Sequence, residues 1–193
     1  MTGILRTLLV VMCALTLSAC RFGDPGTMLV SMSAYTDRPV VVTEMAVNGQ
    51  AVPLVPAVVR GRADTGRPDG SAGGWLLGYP PGTSGVMKLD LTWVELPKGA
   101  AYRTTLQVPL DALETSGSGA AAFMTVFAPG GLLVIASDPE PKSAADTTTR
   151  DVMRVCGKRT PAADVNYAAT PRELPELFEA LETALSTPAP SEC

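Results

Sequence analysis

The residue with the clearest chemistry in this sequence is Cys20, which follows Leu17, Ser18 and Ala19. A leucine, two small residues and a cysteine in this order are typical of the site where a bacterial export signal is cut and the new terminal cysteine is acylated. Each buried methylene of an acyl chain contributes about 0.8 kcal/mol, so two or three chains hold a protein firmly on a membrane. The sequence therefore predicts a lipid anchor on Cys20.

The residues before Cys20 have the composition of a secretory signal. One positive charge, Arg6, precedes a mainly apolar run over 8–17, and no acidic residue occurs before the cysteine. The run is too short for a membrane-spanning helix, which needs about 20 apolar residues. We expect residues 1–19 to be removed and residues 20–27 to form a flexible tether. An ordinary signal peptide followed by a chance cysteine is the alternative.

Cysteine chemistry also bears on the other end of the chain. Of the four cysteines, Cys13 leaves with the signal peptide and Cys20 is acylated, so that Cys156 and Cys193 remain. In an oxidising compartment an even remaining pair is most simply a disulfide. Such a bridge would stabilise the fold by about 3–4 kcal/mol in the chain-entropy model and would hold the C-terminal tail. Two free thiols are the alternative.

Histidine is absent from the sequence, and this removes the commonest general base and every Ser-His-Asp or Cys-His arrangement. With at most two unmodified cysteines, a structural zinc site is not expected either. Carboxylate pairs and Ser-Lys pairs are still open, but we predict a protein that is not an enzyme and that uses no metal and no cofactor. The acidic pI of about 4.8 argues against nucleic acid, which calls for a basic patch.

The elements that would position these residues are mainly strands. Residues 28–34 and 40–47 are rich in β-branched and apolar residues, and Asn48 with Gly49 is the strongest short signal for a hairpin turn. The return strand, 50–59, contains two prolines and can only be an edge strand.

Two further hairpins follow along the chain. The clearest alternates apolar with polar residues and turns at 97–99, with these inward positions: Met87, Leu89, Leu91, Trp93, Tyr102, Thr104, Leu106 and Val108. Residues 110–114 fit one helical turn. Residues 120–128 and 132–137 flank a Pro-Gly-Gly turn and predict the last hairpin. Residues 150–155 fit a helix and a strand equally well.

One amphipathic helix is expected near the C-terminus. Thr170 to Glu173 form a capping box with proline at the first helical position, and Pro175 offers a second start. At helical spacing, one face carries Leu174, Leu177, Phe178, Leu181 and Leu185. We expect this face to pack on the sheet; a partner-binding helix is the alternative. The fold class is mainly β (α+β): an antiparallel sheet or a sandwich of hairpins with one C-terminal helix, in a single domain over 28–193.

Short motifs in these hairpins resemble two related families of bacterial lipoproteins. One family, uncharacterised, carries a strand with tryptophan and glutamate, a nearby tyrosine and a Pro-Gly-Gly turn, which here are Leu91-Thr92-Trp93-Val94-Glu95, Tyr102, Val108-Pro109 and Phe127-Ala128-Pro129-Gly130-Gly131. The start of the other resembles Tyr35-Thr36-Asp37-Arg38 with Val47-Asn48-Gly49. Members of such families are encoded beside type VI secretion lipase effectors and act as their periplasmic immunity proteins.

The resemblance implies both a location and a function. In similar lipoproteins, an aspartate after the acylated cysteine retains the protein in the inner membrane, whereas here Arg21 and Phe22 follow it. This implies a protein that is anchored in the outer membrane and faces the periplasm. It also implies an immunity protein that binds and inhibits a (phospho)lipase effector. The alternative is a structural or accessory envelope lipoprotein, permanently bound in a secretion or assembly complex.

Two polar loops are the expected contact regions, because binding loops are usually carried by rigid sheets. They span 60–74 and 138–149, and the candidate partner-binding residues are Arg60, Arg62, Asp64, Arg67, Asp69, Asp138 and Glu140. Trp93 and Tyr102 are expected in the core. Glu95, at a strand end, is expected to be solvated or to pair with Lys98 or Arg103.

Overall fold

The computed structural model describes residues 26–35, 39–54, 58–59, 74–78, 84–96, 99–115, 119–137, 150–167 and 193. The predicted signal peptide, most of the tether and the predicted C-terminal helix lie outside these residues. What is described is mainly β-structure, which confirms the mainly β fold class. No helix of the described part is long and apolar enough to span a membrane.

Alternating and β-branched segments form the strands of the described chain. In order they are β1 (Thr27–Ala34), β2 (Val40–Val47), β3 (Gln50–Ala51), β4 (Val58–Val59), β5 (Gly74–Gly78), β6 (Val86–Glu95), β7 (Ala100–Pro109), β8 (Glu114–Thr115), β9 (Ala121–Ala128), β10 (Leu132–Ser137), β11 (Arg150–Cys156) and β12 (Lys158–Arg159). Short 3-10 turns occur at Leu110–Ala112, Pro129–Gly131 and Pro161–Ala163.

The strands assemble into two sheets. The first has the order β11-β10-β9-β1-β5, with β8 beside β9, and the second has the order β12-β7-β6-β2-β3, with β4 beside β2. The described pairs are antiparallel except for β1 and β9, which run parallel with Met28 opposite Ala121. A parallel pair needs a long crossover connection, and here the strands of the second sheet lie between β1 and β9 in the chain. The first sheet is therefore mixed rather than purely antiparallel.

The two sheets pack face to face around one core. Inner positions of β1 and β9, such as Val30 and Phe127, contact the same buried cluster as Leu91 and Trp93 of β6. Trp93 is fully buried, as expected for a large aromatic residue on an inner face. The fold is thus a β-sandwich built largely from hairpins.

Several local predictions can be compared with the strands. β6 and β7 pair antiparallel along their whole length, with Trp93 opposite Tyr102, which confirms the predicted hairpin. Asn48 and Gly49 both have positive φ, 49° and 80°, as this hairpin turn requires. The undecided segment is strand β11, which pairs with β10. The segment 110–114 forms a 3-10 turn over Leu110–Ala112.

The predicted return strand over 50–59 is wrong in length. Among the described residues of this stretch, which exclude 55–57, the strands are the two-residue β3 and β4, and residues 52–54 are outside any strand. Pro53 is the physical reason, because proline has no N–H to donate to a ladder.

The outer faces of the two sheets differ in character. The outer face of the first sheet carries a second apolar cluster, all of it buried: Met124, Val126, Ala128, Leu132, Val134 and Ala136. The outer face of the second sheet instead carries Lys88, Asp90, Arg103, Thr105 and Gln107, which are exposed apart from the partly exposed Asp90. An antiparallel sheet with one wet face has this alternation.

Candidate functional site

The loops that were expected to bind a partner are not part of the described structure. All seven predicted contact residues fall outside it: Arg60, Arg62, Asp64, Arg67, Asp69, Asp138 and Glu140. The predicted lipidation residue, Cys20, also lies outside it. The described residues direct attention to a different region, where β11, β12 and β7 meet.

The disulfide lies at this meeting point. Cys156 and Cys193 are bonded, with a Cα–Cα distance of 5.8 Å, which is ordinary disulfide geometry. Cys156 ends β11 in the first sheet, and after Gly157 the chain enters β12 in the second sheet. The bridge therefore fastens Cys193 to the corner between the sheets.

An aromatic stack fills the core beneath this corner. The rings of Trp93 and Tyr102 are stacked at 5.8 Å between centroids, and Phe127 lies tilted against Trp93 at 5.4 Å. The guanidinium of Arg159 lies 5.6 Å from the centre of the Tyr102 ring, within the range of a cation–π contact. Trp93 is a core residue, as expected, whereas the partly buried Tyr102 connects the core to the charged surface.

Two glycines let the backbone approach this stack. A Cβ atom on Gly157 would lie 2.4 Å from the Trp93 ring, and one on Gly131 would lie 2.3 Å from the Tyr102 ring. Gly131 also has a φ of 85°, in the region that favours glycine. The Pro-Gly-Gly turn is thus required by close packing on Tyr102 as well as by its own tight geometry.

The prediction that Glu95 is solvated is wrong, and its alternative, a pairing with Lys98 or Arg103, stays a prediction because Lys98 lies outside the described residues. Only 5% of its surface is exposed, and its Oε1 accepts a hydrogen bond of 2.7 Å from the amide of Gly131. The cause is tertiary, since the Pro-Gly-Gly turn of the first sheet covers the end of β6. The carbonyl of Gly131 then accepts from the amide of Gly157 at 2.8 Å. This chain of bonds joins the two sheets next to the aromatic stack.

An ion pair fixes the short strand β12. Two nitrogens of Arg159 donate to the carboxylate of Asp164, at 2.5 and 2.6 Å. The same carboxylate accepts from the amide of Ala101 at 2.9 Å. The hydrogen bonds from Arg159 and from Ala101 lower the pKa of Asp164. Burial and the charge of Glu95 raise the pKa of Tyr102, so its hydroxyl stays protonated at neutral pH.

Beside this ion pair lies a groove of about 560 Å³, which we call the basic groove. Its described lining is Arg103, Thr104, Thr105, Cys156, Lys158, Arg159, Thr160, Pro161 and Ala162. β12 pairs with β7 at Tyr102 and Arg103, and just before β12 the amide of Gly157 donates to the carbonyl of Gly131 in the first sheet.

Positive charge is concentrated at the basic groove. Arg103 and Lys158 are direct cross-strand partners and both are exposed, while Arg159 is next in the chain. Like charges directly opposite each other in a sheet are destabilising. The whole chain has a net charge of −4. Arg159 is paired with Asp164, so the cations exposed at this edge without a described ion pair are Arg103 and Lys158. With threonine hydroxyls beside them, these groups suit a carboxylate or another anion.

The described residues contain no group of three or more histidine, cysteine, aspartate or glutamate side chains that could hold a metal ion. Trp93 Nε1 is buried and has no hydrogen-bond partner in the structure.

The protein is thus a two-sheet β-sandwich with a disulfide at one corner and the basic groove beside that corner. Neither the protein-family models, nor the curated proteins, nor the solved structures give a match to this chain.

Proposed function

We propose that this chain is a lipid-anchored periplasmic binding protein of the outer membrane, and that it is an immunity protein against a type VI secretion lipase effector. The observation that supports binding is the basic groove with its opposed cations, Arg103 and Lys158. The location and the effector are supported by the Cys20 motif and by the family resemblance of the hairpin motifs.

The opposed cations supply the recognition step. A carboxylate between Arg103 and Lys158 would neutralise the repulsion that the free protein carries across this strand pair. Charge-assisted hydrogen bonds of this kind are stronger than neutral ones, and arginine is enriched among the residues that dominate interfaces. The partner is therefore a protein that presents an acidic side chain to the groove.

Hydrogen bonds and an ion pair restrain the residues around the groove. Arg159 is held by Asp164, and the bonds through Glu95 and Gly131 fix the corner below. Preorganised sites lose less conformational entropy on binding. Inhibition then needs no chemistry, because a bound domain of this size blocks substrate entry by occupying the surface of the effector.

The test is a protection assay in cells that make a candidate type VI secretion lipase effector in the periplasm. The full chain should restore growth, and the double variant Arg103→Glu with Lys158→Glu should not. Lys88→Glu is the matched control, because Lys88 is exposed on the same sheet, outside the groove lining.

Two outcomes would contradict the proposal. If loss of the chain damages the envelope whether or not a lipase gene is intact, the protein is a structural or accessory subunit of an envelope complex. If the purified chain alone turns over lipid or peptidoglycan, it is an enzyme.

A further inference from the structure

Strand β7 is paired along its whole length on one side and over a short stretch on the other. All of Ala100–Pro109 pairs with β6. On the opposite side, β12 pairs with it at Tyr102 and Arg103. The chain leaves this side just before β12, where the amide of Gly157 donates to the carbonyl of Gly131 in the first sheet. Beyond Arg103, therefore, the outer edge of β7 has no partner strand within the described part of the chain.

The hydrogen bonds of Ala101 show which backbone groups of β7 point to this outer edge. Its amide donates to Oδ1 of Asp164 at 2.9 Å, and its carbonyl accepts from the amide of Thr160 at 2.9 Å. Successive residues of a strand direct their backbone groups to alternate edges, and the register of β6 with β7 is continuous. The N–H and C=O groups of Thr105 and Gln107 consequently point to the same edge as those of Ala101.

These four groups form what we call the open edge of β7. Among the described residues, no backbone hydrogen bond reaches the outward groups of Thr105 or Gln107, and both side chains are exposed. Pro109 is the next outward position, where proline takes no hydrogen bond away from the ladder with β6. An edge with unpaired N–H and C=O groups is a ready template for a strand of another chain.

The open edge continues directly from the basic groove. Thr104 and Thr105 line the groove, and Lys158 lies opposite Arg103 where β12 ends its pairing. A strand added in line with β12 would place a residue opposite Thr105, on the same face of the sheet as Arg103 and Lys158. Diagonal neighbours in a sheet are about 7–8 Å apart, which long side chains can span. A carboxylate at that position would thus lie within reach of both cations.

The residues on either side of that carboxylate would face the interior of the sandwich. Side chains alternate between the two faces of a strand, so these neighbours would share the face of Thr104 and Leu106. Both of those residues are buried, and apolar side chains suit such a face. The segment that fits the open edge therefore alternates apolar, acidic and apolar residues.

We propose that the partner protein adds an extended segment to β7 at the open edge, with its backbone bonded to Thr105 and Gln107 and an acidic side chain facing Arg103 and Lys158. This inference rests on the proposed function, because the effector supplies the segment. In strand addition, main-chain hydrogen bonds give affinity and alternate side chains give specificity. The opposed cations then select an acidic residue at one position of the added strand.

Proline substitutions in the full chain test the backbone bonds. Thr105→Pro and Gln107→Pro each remove an outward N–H group while leaving the ladder between β7 and β6 intact. Each should weaken binding of the candidate lipase effector by about tenfold or more, because a hydrogen bond is lost and the proline ring obstructs the added strand. Circular dichroism checks that the sheets of each variant are kept.

The matched control is Ala51→Pro in β3, at the opposite edge of the same sheet. The amide of Val52 donates to the carbonyl of Met45 in β2, so the amide of its neighbour Ala51 points outward. This variant also removes one outward N–H group from an edge strand. Its affinity for the effector should stay within about twofold of the wild-type value, because β3 lies outside the proposed contact.

Hydrogen exchange in the wild-type chain, followed by nuclear magnetic resonance, is a second measurement that needs no variant to fold. In the free chain the amides of Thr105 and Gln107 should exchange rapidly. Binding of the effector should slow both by about tenfold or more, and should leave the amide of Ala51 unchanged.

The outcomes separate this inference from the proposed function. If both proline variants bind like the wild type while Arg103→Glu with Lys158→Glu binds weakly, the groove recognises side chains alone, so that strand addition is wrong and the proposed function stands. Unchanged exchange at both amides on binding would also overturn strand addition. Slow exchange in the free chain would show that another segment, or at high concentration a second copy, occupies the edge. A wild-type chain that does not bind the effector would overturn both proposals.

Discussion

At the scale of single residues, two glycines decide how closely the corner strands approach the aromatic stack. Gly131 and Gly157 lie where any side chain would meet the rings of Tyr102 and Trp93. Interiors are packed at crystal-like density, so there is no free volume to absorb an added methyl group. Gly157 has no positive φ, and its requirement is therefore purely one of space.

Gly157→Ala should destabilise the protein by about 1–3 kcal/mol, because overpacking forces side chains or backbone to shift. Chemical denaturation of the variant gives this value directly. The matched control is Gly78→Ala, where a Cβ would have nothing within 4 Å. Equal free energies of unfolding of the two variants would show that the Trp93 ring can move aside for the added methyl group without destabilising the protein.

Glu95 shows why some residues could not be placed from the sequence. Nothing in its neighbours Val94 and Leu96 indicates that the amide of Gly131 will lie above its carboxylate. The bond joins residues 36 positions apart and exists only once the two sheets have packed. Trp93, in contrast, could be assigned to the core from its own size and its place in the alternation.

At the scale of elements, strands with a local pattern were predictable and strands defined by their partners were not. β6 and β7 alternate over most of their length and follow each other closely in the chain, so the sequence predicts both their pairing and the polar face that carries Arg103. β12 has only two residues and no periodicity. The opposition of Lys158 to Arg103, and with it the basic groove, follows from a register that sequence alone does not give.

Asp164 should contribute to stability in a pH-dependent way. Its pKa is lower in the folded protein than the ordinary value of 3.8. The stabilisation is therefore present above about pH 4 and is lost as the pH falls through the lower, folded-state pKa. Asp164→Asn keeps an oxygen acceptor for the amide of Ala101 but removes the charge.

Unfolding of Asp164→Asn should consequently show a shallower loss of stability on acidification than the wild-type chain. Denaturation curves recorded from pH 6 down to the pH at which the wild-type chain unfolds measure the pH dependence of the free energy of unfolding. Asp111→Asn, on an exposed 3-10 turn outside the groove lining, is the control. If the free energy of unfolding of Asp164→Asn fell with pH as it does in the wild-type chain, the ion pair with Arg159 would make no contribution to stability.

At the scale of the whole molecule, the disulfide joins Cys193 to a corner that is also held by hydrogen bonds between the two sheets. The bridge closes a loop of 37 residues. Cys193→Ser should lower the free energy of unfolding by about 4 kcal/mol in the chain-entropy model. The double variant Cys156→Ser with Cys193→Ser should lose the same free energy of unfolding as the single variant. A loss below about 1 kcal/mol would contradict a structural role for the bridge.

The binding account rests on the basic groove, and the most direct test is the affinity of the purified chain for the lipase effector. Truncating or reversing a central interface charge commonly costs 2 kcal/mol or more, which is about thirtyfold in affinity. The double variant Arg103→Glu with Lys158→Glu should bind at least about thirtyfold more weakly, while Lys88→Glu should bind like the wild-type chain. Equal affinities of the double variant and the wild-type chain would contradict a role for the groove in recognition.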